Sequence, residues 1–334
     1  MTSPILTEVP DGRRKAAVRD GRPGRKLTFD YVSFMLVFLV VPLALFLVFV
    51  IWPFGQAVYY ALTDWSGFSA DYNIIGLENF AKLWDDKLFK KAVQNNILLA
   101  IIIPIVTITI SLTFATMMTI GGSRHGQLRG IRNSSFYRVV SFFPYVIPAI
   151  VIGLIWSQIY GPASGLLNGT LTRAGFQGFE NFAWLGEQKT ARWAVMFVII
   201  WGFVGFYMVL FIAAIKGVPA EIYEAARIDG AGRLRMSTAV TIPMIRDAIQ
   251  TAYIYLGILA LDAFVYMQAL APSGGPDNST LTISQKLFRT AFTDGKFGYA
   301  SAMGVVLAVV TLLFAAVVFT VNWITGGKPD RKRQ

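Results

Sequence analysis

Long stretches without charged residues dominate the pattern of polar and apolar positions along the chain. Five of them contain no Asp, Glu, Lys or Arg, and a sixth contains only Asp262. Each is longer than the roughly 20 residues that an α-helix needs to cross the hydrocarbon core of a bilayer. The pattern predicts an all-α integral membrane protein with six transmembrane helices, at about 31–60, 93–120, 139–160, 193–215, 246–271 and 299–325.

Lys and Arg residues are distributed unevenly among the segments that connect these helices. Of the 30, 20 lie in four segments: before Asp30, at 124–138, at 216–246 and after the sixth span. Because basic residues are retained on the cytoplasmic side, both termini are expected to be cytoplasmic. The outer connections are then expected at about 64–91, 161–192 and 273–296.

The domain organisation follows from the same pattern. A flexible basic tail is expected at 1–30, one six-span membrane domain at 31–327, and a short basic tail at 328–334. The apolar run after Asp30 is longer than the core of about 7 to 15 residues that a signal peptide has, so it is expected to remain as the first span.

Composition narrows the chemistry that the chain can perform. Hydrophobic residues make up 55% of the 334 residues and charged residues only 15%, which disfavours a soluble protein that coats nucleic acid. The sequence contains no cysteine, and His125 is its only histidine. We therefore expect no metal site, no cofactor and no cysteine- or histidine-based catalysis.

The connection between the fourth and fifth spans has the pattern of two short helices. Pro219 suits a first helical turn, and Glu224 favours the N-terminal end of a helix. Gly230 can adopt the left-handed conformation that closes a helix, and a second helix is expected over about 233–243. An apolar face is expected from Ile222, Ala225, Ala226 and Ile228.

Two interpretations of this hairpin, about 219–243, are open on physical grounds. It could rest as an amphipathic element on the lipid headgroups. Alternatively, its small residues, its acids and its exposed turn could fill a groove in a cytoplasmic partner.

The hairpin resembles the EAA signature of permease subunits of bacterial ATP-binding-cassette importers. The matching residues are Glu224, Ala225, Ala226, Gly230, Ile242 and Pro243. Further stretches resemble the binding-protein-dependent, carbohydrate-uptake branch that includes maltose-type transporters, and together they cover about 138–319. These stretches are 143–145, 153–156, 165–168, 274–276 and 297–302.

The resemblance implies the type I importer permease fold, with a coupling helix in the cytoplasm. It also implies a second permease subunit, two ATPase subunits, an extracytoplasmic solute-binding protein and a sugar or oligosaccharide as substrate. The implied ATPase-coupling residues are the six matching residues and Asp229. ATP hydrolysis is expected in a partner, because the chain lacks a phosphate-binding loop and Gly327-Lys328 is followed by Pro329.

Polar and aromatic residues within the spans are candidates for a substrate pathway. They are Trp156, Gln158, Tyr207, Tyr253, Tyr255 and Asp262. Any one Tyr or Trp could instead pack between helices or lie at the membrane interface, and Asn95 and Asn96 are expected at a helix end. A carboxylate within a span is costly unless it meets water or a donor, so Asp262 could face a pathway or lie at the outer end of its span.

Other functions remain as alternatives at this point. An importer of glycerol phosphate or another polyol derivative is one, although a phosphate ligand would favour a Lys or Arg inside the bundle and the spans contain none. A receptor or channel that works alone is a second. An ion-coupled secondary transporter is a third, but it would require a set of coupling charges and repeated halves that the sequence does not offer.

Overall fold

The computed structural model describes residues 29–119, 123–124, 127–128 and 134–325. His125, the predicted C-terminal tail and nearly all of the predicted N-terminal tail lie outside these described residues. The chain divides after Phe54 into two units, which are described separately below.

Helices form most of the described chain. They are α1 Phe29–Ala61, α2 Glu78–Asp85, α3 Lys87–Thr119, α4 Ser134–Val146, α5 Ala149–Ile159, α6 Leu166–Arg173, α7 Gln188–Lys216, α8 Ala220–Ile228, α9 over residues 233–244, α10 Arg246–Leu261, α11 Phe264–Leu270, α12 Ile283–Phe288 and α13 Phe297–Thr325. Two short strands, β1 Ser123–Arg124 and β2 Gln127–Leu128, pair antiparallel.

The first unit contributes most of α1. Two π-helical segments, Leu36–Val40 and Leu47–Ile51, interrupt its α-helical geometry. None of the described side chains in this unit is buried, although nearly all of them are apolar. A helix that is apolar on every side is stable only in an apolar surrounding, so this segment is a membrane helix whose surface faces lipid or another protein.

Four helices are long and apolar enough to cross a membrane by themselves, namely α1, α3, α7 and α13. The predicted third and fifth spans are each built from two helices: α4 and α5 meet at 98°, and α10 and α11 meet at 49°. Pro148 explains the sharper bend, because proline lacks an N–H group and disfavours helical geometry at Ile147. The described chain therefore supports up to six crossings, two of them broken.

The centre of the second unit is formed by α3 and α7, which pack against each other, with α10 packed on α3 and α4 packed on α7. Leu99 and Ile103 on α3 and Val198, Ile199 and Phe211 on α7 are almost inaccessible. α4 approaches α7 closely at Gly205, where a Cβ atom would collide with the carbonyl oxygen of Ser141. A side chain at this position would force the two helices apart.

Asn95 and Asn96 are not at the end of a helix, as the sequence suggested, but buried within α3. Asn96 Nδ2 donates to the carbonyl oxygen of Leu261 at 2.6 Å, and its Oδ1 accepts from the Ile283 N–H at 2.8 Å. Asn95 Oδ1 accepts from Arg192 at 3.0 Å, and its Nδ2 donates to Leu281 O at 2.9 Å. These partners offset the cost of burying two amides, and they attach α10 and the segment before α12 to α3.

Asp86, between α2 and α3, is the centre of a second polar contact. Its Oδ2 lies 2.9 Å from Lys286 Nζ and accepts from Tyr299 Oη at 3.0 Å, and its Oδ1 accepts from the Phe89 N–H at 3.0 Å. Burial alone would raise the pKa of Asp86, but these bonds together hold the pKa below its ordinary value of 3.8. The contact joins α3, α12 and α13.

The depressed pKa of Asp86 predicts how stability depends on pH. Its stabilising contribution is complete above pH 3.8 and is lost as the pH falls through the lower folded-state pKa. Asp86→Asn should therefore cost about 1–2 kcal/mol at pH 7, and the difference from the parent should shrink well below pH 3.8. Thermal unfolding of the detergent-purified protein measures this, with Asp85→Asn at the exposed neighbouring carboxylate as the control. A loss of stability that is the same at pH 7 and pH 3 would contradict the assignment.

Candidate functional site

The hairpin, residues 219–244, begins with α8. Pro219 precedes this helix in an extended conformation. The helix closes at Gly230, whose φ of 75° is left-handed. The Gly230 N–H donates to Arg227 O and the Ala231 N–H donates to Ala226 O, each at 2.9 Å, which together form a Schellman motif. The turn therefore depends on the conformation that glycine adopts without strain.

The second arm of the hairpin is α9, which follows Gly232 directly. Its central segment, Met236–Thr241, is π-helical. A π-helical segment carries an extra residue per turn and commonly marks a functional position in a helix. The segment leads into α10, so the hairpin continues with little interruption into the bent pair α10 and α11.

Tyr223 attaches the two arms to each other. Its side chain is 1% exposed, and its hydroxyl oxygen lies 3.5 Å from Thr241 Oγ1. Tyr223 was not among the residues singled out from the sequence. Ile228, one of the residues of the predicted apolar face, is 87% exposed at the end of α8.

The outer surface of the hairpin carries most of the residues implied in ATPase coupling. Glu224, Ala225, Asp229 and Gly230 are exposed, and Ala226 is half-buried. Ile242 and Pro243 are also exposed, but they lie at the far end of α9, about 14 Å along the helix from its start. Leu234 is 79% exposed beside the turn. The turn therefore presents acids and two large apolar side chains, Ile228 and Leu234, to its surroundings.

A cavity of about 570 Å³ lies between α4, α7 and α10. It brings together three of the predicted pathway residues, Tyr207, Tyr255 and Asp262. Its other aromatic residues were not among the predicted pathway residues. They are Tyr145, Phe203 and Phe206, of which Tyr145 stacks on Phe206 with ring centres 4.4 Å apart.

The other three predicted pathway residues do not line this cavity. Trp156 packs against Phe197 and Trp201, with ring centres 5.3 Å and 5.4 Å away. Gln158 is exposed elsewhere on α5. Tyr253 stacks on Phe314 of α13, with ring centres 5.9 Å apart.

Comparison with known proteins identifies the class to which this fold and hairpin belong. Residues 118–324 match the family described as binding-protein-dependent transport system inner membrane component. The chain is a multi-pass membrane transport subunit, and it belongs to this family.

Individual relatives agree with the assignment. The chain is 62% identical, over 96% of its length and 91% of the relative, to the diacetylchitobiose uptake system permease protein NgcF of Streptomyces coelicolor. It is 35% identical to the probable ABC transporter permease protein YurN of Bacillus subtilis, over 82% of the chain and 90% of the relative. A third relative, the sn-glycerol-3-phosphate transport system permease protein UgpA of Escherichia coli, is 28% identical over 84% of the chain and 91% of the relative.

Solved structures share the fold. A bacterial ABC transporter involved in the import of the acidic polysaccharide alginate matches with a TM-score of 0.72 and 20% identity, over 87% of this chain and 96% of that one. The predicted resemblance of the chain to permeases of ATP-binding-cassette sugar importers is confirmed.

Proposed function

We propose that the chain is the permease subunit of an ATP-driven importer that carries an N-acetylated disaccharide or a closely related sugar across the cytoplasmic membrane. The observation that carries this proposal is the 62% identity, over nearly the whole chain, to a permease named for diacetylchitobiose uptake. The relative named for sn-glycerol-3-phosphate is much more distant, at 28% identity.

The lining of the cavity supports a sugar rather than a phosphate. Stacked aromatic rings suit the apolar faces of pyranose rings and acetyl methyl groups, and the hydroxyls of Tyr207 and Tyr255 can bond to sugar hydroxyls. No Lys or Arg is among the described residues that line it. A phosphate would need such a cation, so glycerol phosphate is the weaker candidate.

The proposal includes the partners that an importer of this class requires. They are a second permease subunit, two ATPase subunits and an extracytoplasmic solute-binding protein. A related alginate transporter has been solved in complex with a pentasaccharide-bound periplasmic protein. In this chain the exposed turn of the hairpin would enter a groove of the ATPase and transmit its closure to α10.

Transport assays test the substrate. The importer, reconstituted in liposomes with all of its partners, should take up labelled diacetylchitobiose when ATP is inside and the solute-binding protein is outside. Cellobiose, which lacks the acetyl groups, and sn-glycerol 3-phosphate serve as comparison substrates. Uptake of sn-glycerol 3-phosphate without uptake of diacetylchitobiose would overturn the proposed substrate.

Removal of the Glu224 carboxylate should weaken attachment of the ATPase. Glu224 is exposed on α8 and free to make a charge-assisted bond worth roughly 1.5–3 kcal/mol, so Glu224→Ala should lower partner occupancy about tenfold or more. Co-purification of the ATPase and its stimulated hydrolysis measure this. Glu221→Ala, one turn earlier on α8 and also exposed, is the matched control. Equal co-purification of both variants and the parent would show that Glu224 does not bind the ATPase and only interacts with the dipole of its own helix.

Both termini are proposed to be cytoplasmic, on the basis of the 20 to 10 division of basic residues. A green fluorescent protein fused after Gln334 should fluoresce, and alkaline phosphatase fused there should be inactive. The same reporters fused after Gly175, in a proposed outer connection, should give the opposite result. An active phosphatase after Gln334 would contradict a cytoplasmic C-terminus.

A further inference from the structure

Asp262 lies at a break in a membrane helix. It follows the last residue of α10, with φ −112° and ψ 43°, at the point where the chain turns by 49° into α11. Its side chain is exposed and lines the aromatic cavity between α4, α7 and α10. Among the described residues that line this cavity, it is the only one with a charge.

The surroundings do not neutralise this carboxylate. Lys or Arg side chains pair with Glu78, Asp277 and Asp86 in the described parts of the chain, and none of these pairs includes Asp262. The other lining side chains are Tyr, Phe, Leu, Ile, Ala and Thr. Apolar walls concentrate the field of a charge in a cleft, so an ionised Asp262 would give this cavity a negative potential.

We propose that Asp262 makes the cavity an anion-excluding filter, which passes neutral or cationic sugars and rejects sugar phosphates and uronates. The proposal rests on the proposed function, in which this cavity forms part of the pathway. The fold alone does not set this preference, because proteins of the same fold or family are named for alginate, an acidic polysaccharide, and for sn-glycerol-3-phosphate. The selection of substrates by charge therefore depends on the residues that line the cavity.

The absence of cysteine from the sequence allows the potential to be measured directly. Tyr255→Cys places a single thiol in the cavity wall, seven residues before Asp262 and thus about 10 Å along the helix from it. The assembled importer in membrane vesicles is treated with a cationic trimethylammonium-ethyl or an anionic sulfonato-ethyl methanethiosulfonate. Mass spectrometry of the peptide containing residue 255 gives the two reaction rates, so cysteines of partner subunits do not interfere.

The cationic reagent should react faster, and the ratio of the two rates should fall about fivefold when Asp262→Asn is added. Asp262→Glu should keep the ratio of the parent. Ile74→Cys, at a 70% exposed residue outside the cavity, should give a ratio that Asp262→Asn does not change.

Two results would overturn the proposal: a ratio at Tyr255→Cys that is the same with Asp262 and with Asn, or no reaction with either reagent, since the cavity would then be closed to water. The measurement is independent of the cargo. If another neutral sugar is transported instead of diacetylchitobiose and the ratio depends on Asp262, the filter stands and only the proposed substrate fails. Uptake of sn-glycerol 3-phosphate would overturn the filter as well.

Discussion

Replacing Gly205 with valine should prevent the chain from accumulating in the membrane as a folded protein. The new Cβ would collide with the carbonyl oxygen of Ser141, which belongs to the backbone of α4 and cannot move aside like a flexible side chain. Overpacking costs about 1–3 kcal/mol and occasionally more, and a clash with backbone lies at the upper end, because α4 must shift away from α7. The folded yield after detergent extraction and gel filtration measures the effect.

Gly202→Ala is the control for this variant, one turn earlier on the same helix. A Cβ at Gly202 would lie 3.4 Å from the Tyr266 hydroxyl, which is ordinary contact. This variant should therefore be extracted in nearly normal yield. A normal yield of Gly205→Val would show that α4 and α7 are not in close contact at this position.

Replacing Gly230 with valine should abolish uptake while leaving the chain in the membrane. The residue has φ 75°, and a β-branched side chain at that angle costs about 1–3 kcal/mol of strain. The strain is relieved by opening the Schellman turn, which moves the end of α8 that is proposed to enter the ATPase. The surrounding space is open, so the effect arises from the backbone and not from a collision.

Two variants separate this backbone effect from a general disturbance of the hairpin. Asn tolerates left-handed geometry, so Gly230→Asn should retain much of the uptake. Gly232→Val lies two residues away with φ −68° and open space around its Cβ, so it should retain uptake as well. Equal loss of uptake in Gly230→Val and Gly232→Val would show that transport does not depend on the left-handed conformation of residue 230.

The sequence was sufficient to locate the membrane helices and the hairpin because both are encoded locally. A stretch without charge marks a span, and a glycine after an amphipathic run marks the end of a helix. The bend at Pro148 could also have been read from the sequence, since proline breaks a helix by itself. The burial of Asn95 and Asn96 could not have been predicted from the sequence, because it depends on carbonyl groups that lie more than 160 residues away along the chain.

The residues proposed for the substrate pathway could also be predicted only in part from the sequence. Tyr255 lies on α10 and Asp262 follows the end of that helix, seven residues or about two turns later, so both reach the cavity. Tyr253 is two residues from Tyr255 and therefore faces α13 instead. Trp156 could not be placed without the direction of α5, which is set by the 98° bend before it. Residue type indicated possible ligands, but only the packing of helices decides which of them meet.

Position 96 has a narrow range of acceptable side chains. Its amide donates to the carbonyl group of Leu261, immediately before Asp262, and accepts from the backbone at the start of α12. Aspartate has the right length but cannot donate, leucine can do neither, and glutamine carries the same groups one carbon too far from the helix. The geometry of the break after α10 therefore depends on a residue 166 positions earlier in the chain, and a substitution at position 96 would disturb the pathway lining at Asp262 without touching it.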